Sequence, residues 1–147
     1  MSHTLFVYGT LRHPDVRRAV LKDDVPASHC IQAFLAGHAV MAVAGTHYPL
    51  IEARPNQADI EAVEGLILTG LTDAQIDALD RFEGADYRRF EVQVVLADGT
   101  HRQADIYRTI NPLKTDGVWV YDKWLAAGGL EAFLADELDP EGVKRPE

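Results

Sequence analysis

One clear helix interrupts the strand-like runs in the middle of this chain: Thr72-Asp73-Ala74-Gln75-Ile76-Asp77-Ala78-Leu79-Asp80-Arg81-Phe82-Glu83-Gly84. Thr72 and Gln75 have the spacing of a capping box, in which each side chain accepts a hydrogen bond from the other residue's backbone N–H. Gly84 suits the position just past a helix end. The sequence therefore predicts a helix that begins after Thr72 and ends before Gly84.

Glu83 borders the apolar face of this helix. Ile76, Leu79 and Phe82 recur at three-residue spacing, so they form one stripe that faces a core, and Glu83 lies four residues beyond Leu79. Apolar surroundings disfavour a charged carboxylate and raise its pKa towards the range that a general base needs. We interpret Glu83 as a candidate catalytic base. The alternative is a surface residue or one that is ion-paired with a nearby arginine.

The rest of the chain reads mainly as strands. We predict strands at residues 4–8, 29–43 (one long or bent strand with a bulge at Gly37), 48–51 (a short edge strand), 62–68, 87–96 and 102–107. Asp98-Gly99 predicts a type I′ hairpin turn between the last two strands. Residues 54–59 read as a polar connection, 14–21 as a short helix, and 118–138 as two helices broken at Gly128-Gly129.

This order of elements predicts an α+β fold with a mixed or antiparallel sheet, and a small barrel is one form of it. A chain of 147 residues is the size of one domain. We therefore expect a single domain over residues 1–147, with its core at about 4–121 and a helical C-terminal tail at 122–147.

Composition limits the partners and the cellular location. The net charge of −9, without an interleaved basic and aromatic stretch, argues against nucleic acid and against an anionic membrane surface. Cys30 is the only cysteine, so an intrachain disulfide is impossible and a reducing compartment is expected. The first residues do not resemble a leader peptide and no long apolar run is present, which predicts a cytoplasmic protein.

Two further classes of chemistry find little support in the sequence. The six histidines are scattered and show no metal-binding spacing, so neither a metal nor another cofactor is expected. Ser2 and Ser28 are the only serines, and neither lies in a Gly-x-Ser-x-Gly turn. His29 and Cys30 are adjacent on a predicted strand, so their side chains point to opposite faces.

The end of the first strand is a second candidate site. Phe6-Val7-Tyr8-Gly9-Thr10-Leu11 places a glycine and a small hydroxyl residue directly after a β-like run. Without a side chain at Gly9 a ligand can approach the backbone closely, and successive N–H groups in such a turn can bind an anion. Taken alone, a turn of this kind more often only connects two elements.

This segment and the stretch Leu79-Asp80-Arg81-Phe82-Glu83-Gly84-Ala85-Asp86-Tyr87-Arg88-Arg89 resemble the two signature segments of the gamma-glutamylcyclotransferase-like family. The similarity is to the branch that contains the AIG2-like and gamma-glutamylamine cyclotransferase proteins, and it spans residues 5 to about 121. Tyr48-Pro49-Leu50-Ile51 and Val63-Glu64-Gly65-Leu66 resemble the two stretches that lie between the signatures.

The resemblance implies a barrel of six to seven strands with flanking helices and no metal. It also implies cleavage of a gamma-glutamyl amide, in which the substrate's α-amine attacks its own γ-carbonyl and releases 5-oxoproline and a free amine. The family's substrate loop corresponds to Tyr8, Gly9, Thr10 and Leu11, and its acid-base residue corresponds to Glu83.

Several alternatives stay open at this point. Tyr87 and Tyr107 are candidates to line the substrate pocket, although buried tyrosines more often belong to the core. Asp80 lies on nearly the same helix face as Glu83, so the two carboxylates could exchange roles. A binding or regulatory domain that keeps the gamma-glutamyl pocket without turnover is the alternative function. We expect a small-molecule gamma-glutamyl ligand and a monomer or weak homodimer.

Overall fold

The computed structural model describes residues 2–55, 60–139 and 141–142, which form a mixed α+β fold. The α+β class is therefore confirmed. The elements follow in the order β1 His3–Val7, α1 Pro14–Leu21, β2 Cys30–Leu35, β3 His38–Val43, β4 Pro49–Ala53, β5 Val63–Leu71, α2 Asp73–Glu83, β6 Tyr87–Leu96, β7 His101–Thr109, β8 Thr115–Val118, α3 Tyr121–Ala126 and α4 Gly129–Asp136.

Five strands close into a barrel in the order β1-β5-β2-β6-β7. Four of the neighbouring pairs are antiparallel, and the parallel pair of β1 with β7 closes the ring, with Leu5 opposite Asp105. The remaining strands form a separate sheet in the order β4-β3-β8. The predicted barrel is confirmed, but its count of six to seven strands is wrong.

The long strand predicted at residues 29–43 is two strands that belong to different sheets. A turn at residues 36–37, with Gly37 at a φ of 73°, separates β2 of the barrel from β3 of the second sheet. Because apolar residues are spaced alike on both sides of the turn, the sequence pattern shows no break. The second sheet also contains β8, which was not predicted because its residues lack an alternating apolar pattern. Val118, which the sequence analysis placed at the start of the helical stretch, is the last residue of this strand, and α3 begins only at Tyr121.

Helix α2 forms as its sequence predicts. Thr72 caps it, and the side chains of Thr72 and Gln75 each accept from the other's backbone N–H, at 3.1 and 2.9 Å. The N–H of Gly84 donates to the carbonyl of Asp80, and a φ of 83° at Gly84 turns the chain out of the helix. Glu83 is consequently the last helical residue.

The hairpin between β6 and β7 is confirmed, but its turn type differs from the prediction. A type I′ turn requires positive φ at both central residues, and among the described residues Lys22 is the only non-glycine with positive φ. The N–H of Gly99 donates to Leu96 at 2.9 Å, and that of Leu96 donates to Thr100. The loop is therefore a tight turn through Ala97 and Asp98, followed by left-handed Gly99.

The two C-terminal helices are confirmed as α3 and α4, with left-handed Gly128 between them. The predicted tail extends further, but 140 and 143–147 lie outside the described residues, as do 56–59 of the predicted polar connection. Among the described residues, no helix has both the length and the apolar composition to cross a membrane.

Strand β1 is buried on both faces, which places its end between two apolar cores. Leu5 and Val7 belong to a cluster with α1, α2 and α4. Phe6 and Tyr8 belong to a second cluster, which contains residues from all five barrel strands. Because neighbouring side chains of a strand point to opposite faces, the residues that follow β1 emerge where the two cores meet.

Candidate functional site

A cavity opens where β1 ends. Its volume is about 460 Å³, counting the space at its open mouth. All seven residues proposed as site residues from the sequence line it, namely Tyr8, Gly9, Thr10, Leu11, Glu83, Tyr87 and Tyr107. The fold therefore brings together side chains that are up to a hundred positions apart in the chain.

Four elements deliver these residues. The loop formed by residues 8–11, called here the 8–11 loop, continues directly from β1. Glu83 ends α2, and Tyr87 begins β6 four residues later. Tyr107 comes from β7, which lies beside β1 because the barrel closes through this pair.

The 8–11 loop presents backbone N–H groups. Residues 10–12 form a 3₁₀ turn in which the N–H of Arg12 donates to Gly9 at 3.0 Å. In the part of the chain that the structure describes, the N–H groups of Gly9, Thr10 and Leu11 donate to no backbone carbonyl. Successive N–H groups with this freedom can bind an anion.

Arg17 of α1 contacts the C-terminal end of the loop. Its side chain is buried, and its guanidinium donates to the carbonyls of Leu11 and Arg12 at 2.9 and 2.7 Å. A charge this deeply buried needs hydrogen-bond partners, and these two carbonyls supply them. The carbonyl of Leu11 is therefore directed towards Arg17, while those of Gly9 and Thr10 accept from the backbone N–H groups of Arg12 and His13.

Gly9 is required by a neighbouring strand. A β-carbon at this position would lie 2.7 Å from Cγ of Pro49, the first residue of β4. Both residues line the cavity, so the glycine lets β4 pack directly against the 8–11 loop. This contact gives Gly9 a role in packing in addition to the ligand access that we expected from the sequence.

Glu83 is the only charged residue among the described residues that line the cavity. It is half-buried, directly after Phe82, which is fully buried. In addition to burial, its negative charge raises the pKa values of two neighbouring phenols, those of Tyr8 and Tyr107. Burial raises the pKa of Tyr8 well above its usual range, and electrostatic interactions with Tyr87 and Glu83 raise it further. Tyr8 therefore stays protonated at neutral pH.

The hydroxyl groups of Tyr8 and Tyr107 are held inside the protein. Tyr8 donates to the backbone carbonyl of Tyr107 at 3.0 Å, and Tyr107 donates to Oδ1 of Asp80 at 2.6 Å. Burial, the bond to Asp80 and the charge of Glu83 together raise the pKa of Tyr107. Both tyrosines therefore shape the cavity with rings in fixed positions.

Asp80 and Glu83 occupy different environments. Asp80 also accepts from Nε and from a terminal nitrogen of Arg89, at 2.9 and 3.2 Å. Asp80 lines a neighbouring, more open depression, whereas Glu83 lines the cavity itself. This difference favours Glu83 over Asp80 for contact with a ligand.

Several residues of the cavity wall were not predicted from the sequence. Six more line the cavity, namely Phe6, Val7, Tyr48, Pro49, Phe82 and Phe133. Tyr48 and Pro49 lie in one of the stretches that carry the family resemblance, which was a usable signal. Phe133 lies in the predicted helical tail, where no local pattern distinguishes a residue of the cavity wall from one that only packs.

Metal-ligating side chains do not cluster in the part of the chain that the structure describes. No group of three or more His, Cys, Asp or Glu side chains there is arranged to hold an ion. His29 and Cys30 lie away from the cavity, and the Cys30 thiol contacts the carbonyl of Pro26 at 3.6 Å.

Comparison with known proteins identifies one family. Residues 5–126 match the model of the family described as "Gamma-glutamyl cyclotransferase, AIG2-like". Protein AIG2 A of Arabidopsis thaliana is 34% identical over 127 residues, which cover 84% of this chain and 70% of that protein.

Solved structures agree with this match at the level of the fold. A solution structure of an Arabidopsis thaliana protein superposes with a TM-score of 0.67 at 27% identity, covering 92% of this chain and 89% of the other. A structure named gamma-glutamyl cyclotransferase superposes with a TM-score of 0.66, covering 91% and 82% of the two chains. At 17% identity, this second likeness shows the shared fold alone.

Proposed function

Because the chain belongs to the AIG2-like family of gamma-glutamyl cyclotransferases, we propose that it cleaves a gamma-glutamyl amide, releasing 5-oxoproline and a free amine. Glu83 acts as the acid-base residue in this proposal, and the 8–11 loop binds the substrate. The observation that carries it is the meeting of the two signature segments at one cavity, with Glu83 facing the same space as the loop.

The loop binds the α-carboxylate of the glutamyl group. Its N–H groups donate to the carboxylate oxygens, while Arg17 holds the adjoining carbonyls away. This fixes one end of the glutamyl chain and lets the chain fold back on itself. The α-amine and the γ-carbonyl then meet within one molecule, and such orientation supplies much of the rate in ring closures.

Glu83 acts first as a base and then as an acid in this mechanism. The α-amine is an ammonium group at neutral pH, so its proton must pass to the carboxylate before its nitrogen can attack the γ-carbon. The new C–N bond closes the five-membered ring. The protonated Glu83 then gives the proton to the leaving nitrogen as the original amide C–N bond breaks. The ring nitrogen still carries one extra proton of the former ammonium group, and this proton passes through Glu83 to the released amine, which leaves as an ammonium ion. No water is consumed and no covalent bond to the protein forms.

The tyrosines form walls of the cavity in this mechanism. Tyr8 and Tyr107 already donate their hydroxyl hydrogens to protein acceptors, so they do not compete with Glu83 for the transferred proton. Their raised pKa values keep both phenols neutral, which avoids a second negative charge beside Glu83.

The test is release of 5-oxoproline from a panel of gamma-glutamyl amines and gamma-glutamyl amino acids. Glu83→Gln keeps the size of the side chain but removes the proton acceptor, so turnover should fall by at least about a hundredfold. Asp77→Asn is the matched control, because Asp77 is an exposed carboxylate on the same helix.

Asp80→Asn separates the two carboxylate assignments. If it abolishes turnover while Glu83→Gln remains active, the roles are exchanged and the proposal for Glu83 is wrong. If the wild-type protein binds panel members without releasing 5-oxoproline, the binding-domain alternative replaces the proposed reaction.

A further inference from the structure

The C-terminal helix α4 supplies one wall of the cavity. Phe133 is fully buried, and its ring meets those of Tyr48 and Phe82 edge-on, with centroids 6.3 and 6.4 Å apart. All three rings line the cavity. The match to the family ends at residue 126, whereas α4 begins at Gly129. Part of the site wall therefore comes from outside the matched segment.

Glu137, four residues after Phe133, is a buried carboxylate with a specific partner. Its residue is 7% exposed, and its two oxygens accept from the backbone N–H of His47 at 2.7 and 2.9 Å. Nδ1 of the same histidine lies 3.2 Å from Oε2. A buried carboxylate is costly unless donors surround it. The backbone N–H of His47 is such a donor, and Nδ1 is a second one when that ring nitrogen carries the proton.

The negative charge of Glu137 does not stabilise its own helix. Glu137 is the C-cap residue of α4, and a negative charge is unfavourable at a helix C-terminus. The contact that compensates for this is the one to His47, on the loop that joins β3 to β4. The carboxylate thus connects the end of α4 to that loop.

The β3–β4 loop leads directly into the cavity wall. His47 is followed by Tyr48 and Pro49, which both line the cavity. Pro49 in turn lies against the 8–11 loop, since a β-carbon on Gly9 would approach its ring to 2.7 Å. A shift of the His47 peptide therefore moves the wall that faces the proposed substrate loop.

We propose that α4 is part of the substrate site and that Glu137 is a positioning residue, which holds the wall formed by Tyr48 and Pro49 through the N–H of His47. The inference rests on the proposed function, because the expected effect on substrate binding requires the gamma-glutamyl group to lie beside this wall. Glu137 itself does not line the cavity. It acts through the loop and through Phe133 on the same helix.

The experiment compares Glu137→Ala and Glu137→Gln with Glu131→Gln. Glu131 is an exposed glutamate on the same helix, so Glu131→Gln makes the matched change of charge away from the loop. With a gamma-glutamyl alkylamide as substrate, Glu137→Ala should raise KM by about tenfold and change kcat by less than about twofold, because Glu83 is held by a different helix. Glu137→Gln retains one acceptor oxygen and should lie between Glu137→Ala and the wild type.

Amide hydrogen exchange provides a readout that does not depend on turnover. In Glu137→Ala the N–H of His47 should lose protection by at least about tenfold, while exchange in α2 stays as in the wild type. Should Glu137→Ala fail to fold in a thermal scan, the same comparison is made with Glu137→Gln. A folded variant with wild-type KM and wild-type exchange at His47 would overturn the proposal. Absence of 5-oxoproline from the wild type would instead refute the proposed reaction, and exchange at His47 would still decide whether Glu137 positions the loop.

Discussion

Gly65→Ala should destabilise the protein because the barrel leaves no space for a β-carbon at this position. Gly65 lies in β5, paired with β2 on one side and next to β1 on the other. A β-carbon here would lie 2.4 Å from the carbonyl oxygen of Val7 and 2.8 Å from the ring of Phe6. An ordinary carbon–oxygen contact is about 3.3 Å or longer, so the strands would have to separate by nearly 1 Å.

Neither the Val7 carbonyl nor the Phe6 ring can move away without lowering the stability of the protein. Val7 contributes a backbone atom of the barrel, and Phe6 is 1% exposed in the second core. Overpacking of this kind costs about 1–3 kcal/mol, and a weakened hydrogen bond between the strands adds about 1 kcal/mol. Replacing a strand glycine with alanine in itself stabilises the folded state by about 0.5–1 kcal/mol. The expected net loss of unfolding free energy is about 1–3.5 kcal/mol.

Urea unfolding measures this loss, and Gly37→Ala is the control. At Gly37 a β-carbon meets no atom within 4 Å, but the φ of 73° makes the substitution cost about 1 kcal/mol. The two variants differ in their distance from the site. Val7 directly precedes Tyr8, so Gly65→Ala should also lower kcat/KM while the protein is still folded, whereas Gly37→Ala should not. An unfolding free energy within about 0.5 kcal/mol of wild type, with normal kcat/KM, would refute this packing argument.

Three further outcomes are expected. Gly129→Ala would place a β-carbon 2.2 Å from Cδ1 of Trp124 and should lower the free energy of unfolding by about 1–3 kcal/mol in urea titrations, an effect that Trp124→Leu in the same chain should largely remove. The pKa values of Tyr8 and Tyr107 are raised in the folded protein, so both phenols keep their protons at pH values where the unfolded chain loses them. The free energy of unfolding should therefore fall above pH 10 by up to about 1.4 kcal/mol per pH unit for each tyrosine. Tyr8→Phe should reduce that slope. Because Glu83 is the only charge among the described residues of the cavity lining, kcat/KM for gamma-glutamyl alkylamines should exceed that for gamma-glutamyl amino acids by about tenfold, since a carboxylate on the leaving amine would meet no cation there.

Local features of the sequence were sufficient to predict several elements. The capping box and the three-residue apolar stripe predict α2 together with the position of Glu83 at its end. Asp98-Gly99 predicts the hairpin, and the paired glycines predict the break between α3 and α4. Each signal lies within one element or one turn, where hydrogen bonds and steric limits act between residues close in the chain.

Contacts between distant segments could not be predicted from local patterns. The division of residues 29–43 between two sheets, the pairing of β8 and the closure of the barrel through β1 and β7 depend on which faces become buried together. Alternating apolar residues indicate that a strand exists but do not name its partner. The count of six to seven barrel strands came from the family resemblance and is wrong, because three of the eight strands form a separate sheet, although the fold class was confirmed.

The candidate site divides in the same way. The residue types follow from local patterns, namely a carboxylate at the end of an amphipathic helix and a glycine loop after a strand. The fold alone shows that both face one cavity, that Asp80 is engaged by Arg89, and that Phe133 of the C-terminal helix lines the wall. A cavity is formed by the packing of elements far apart in the chain, and no local spacing indicates which of their side chains will share it.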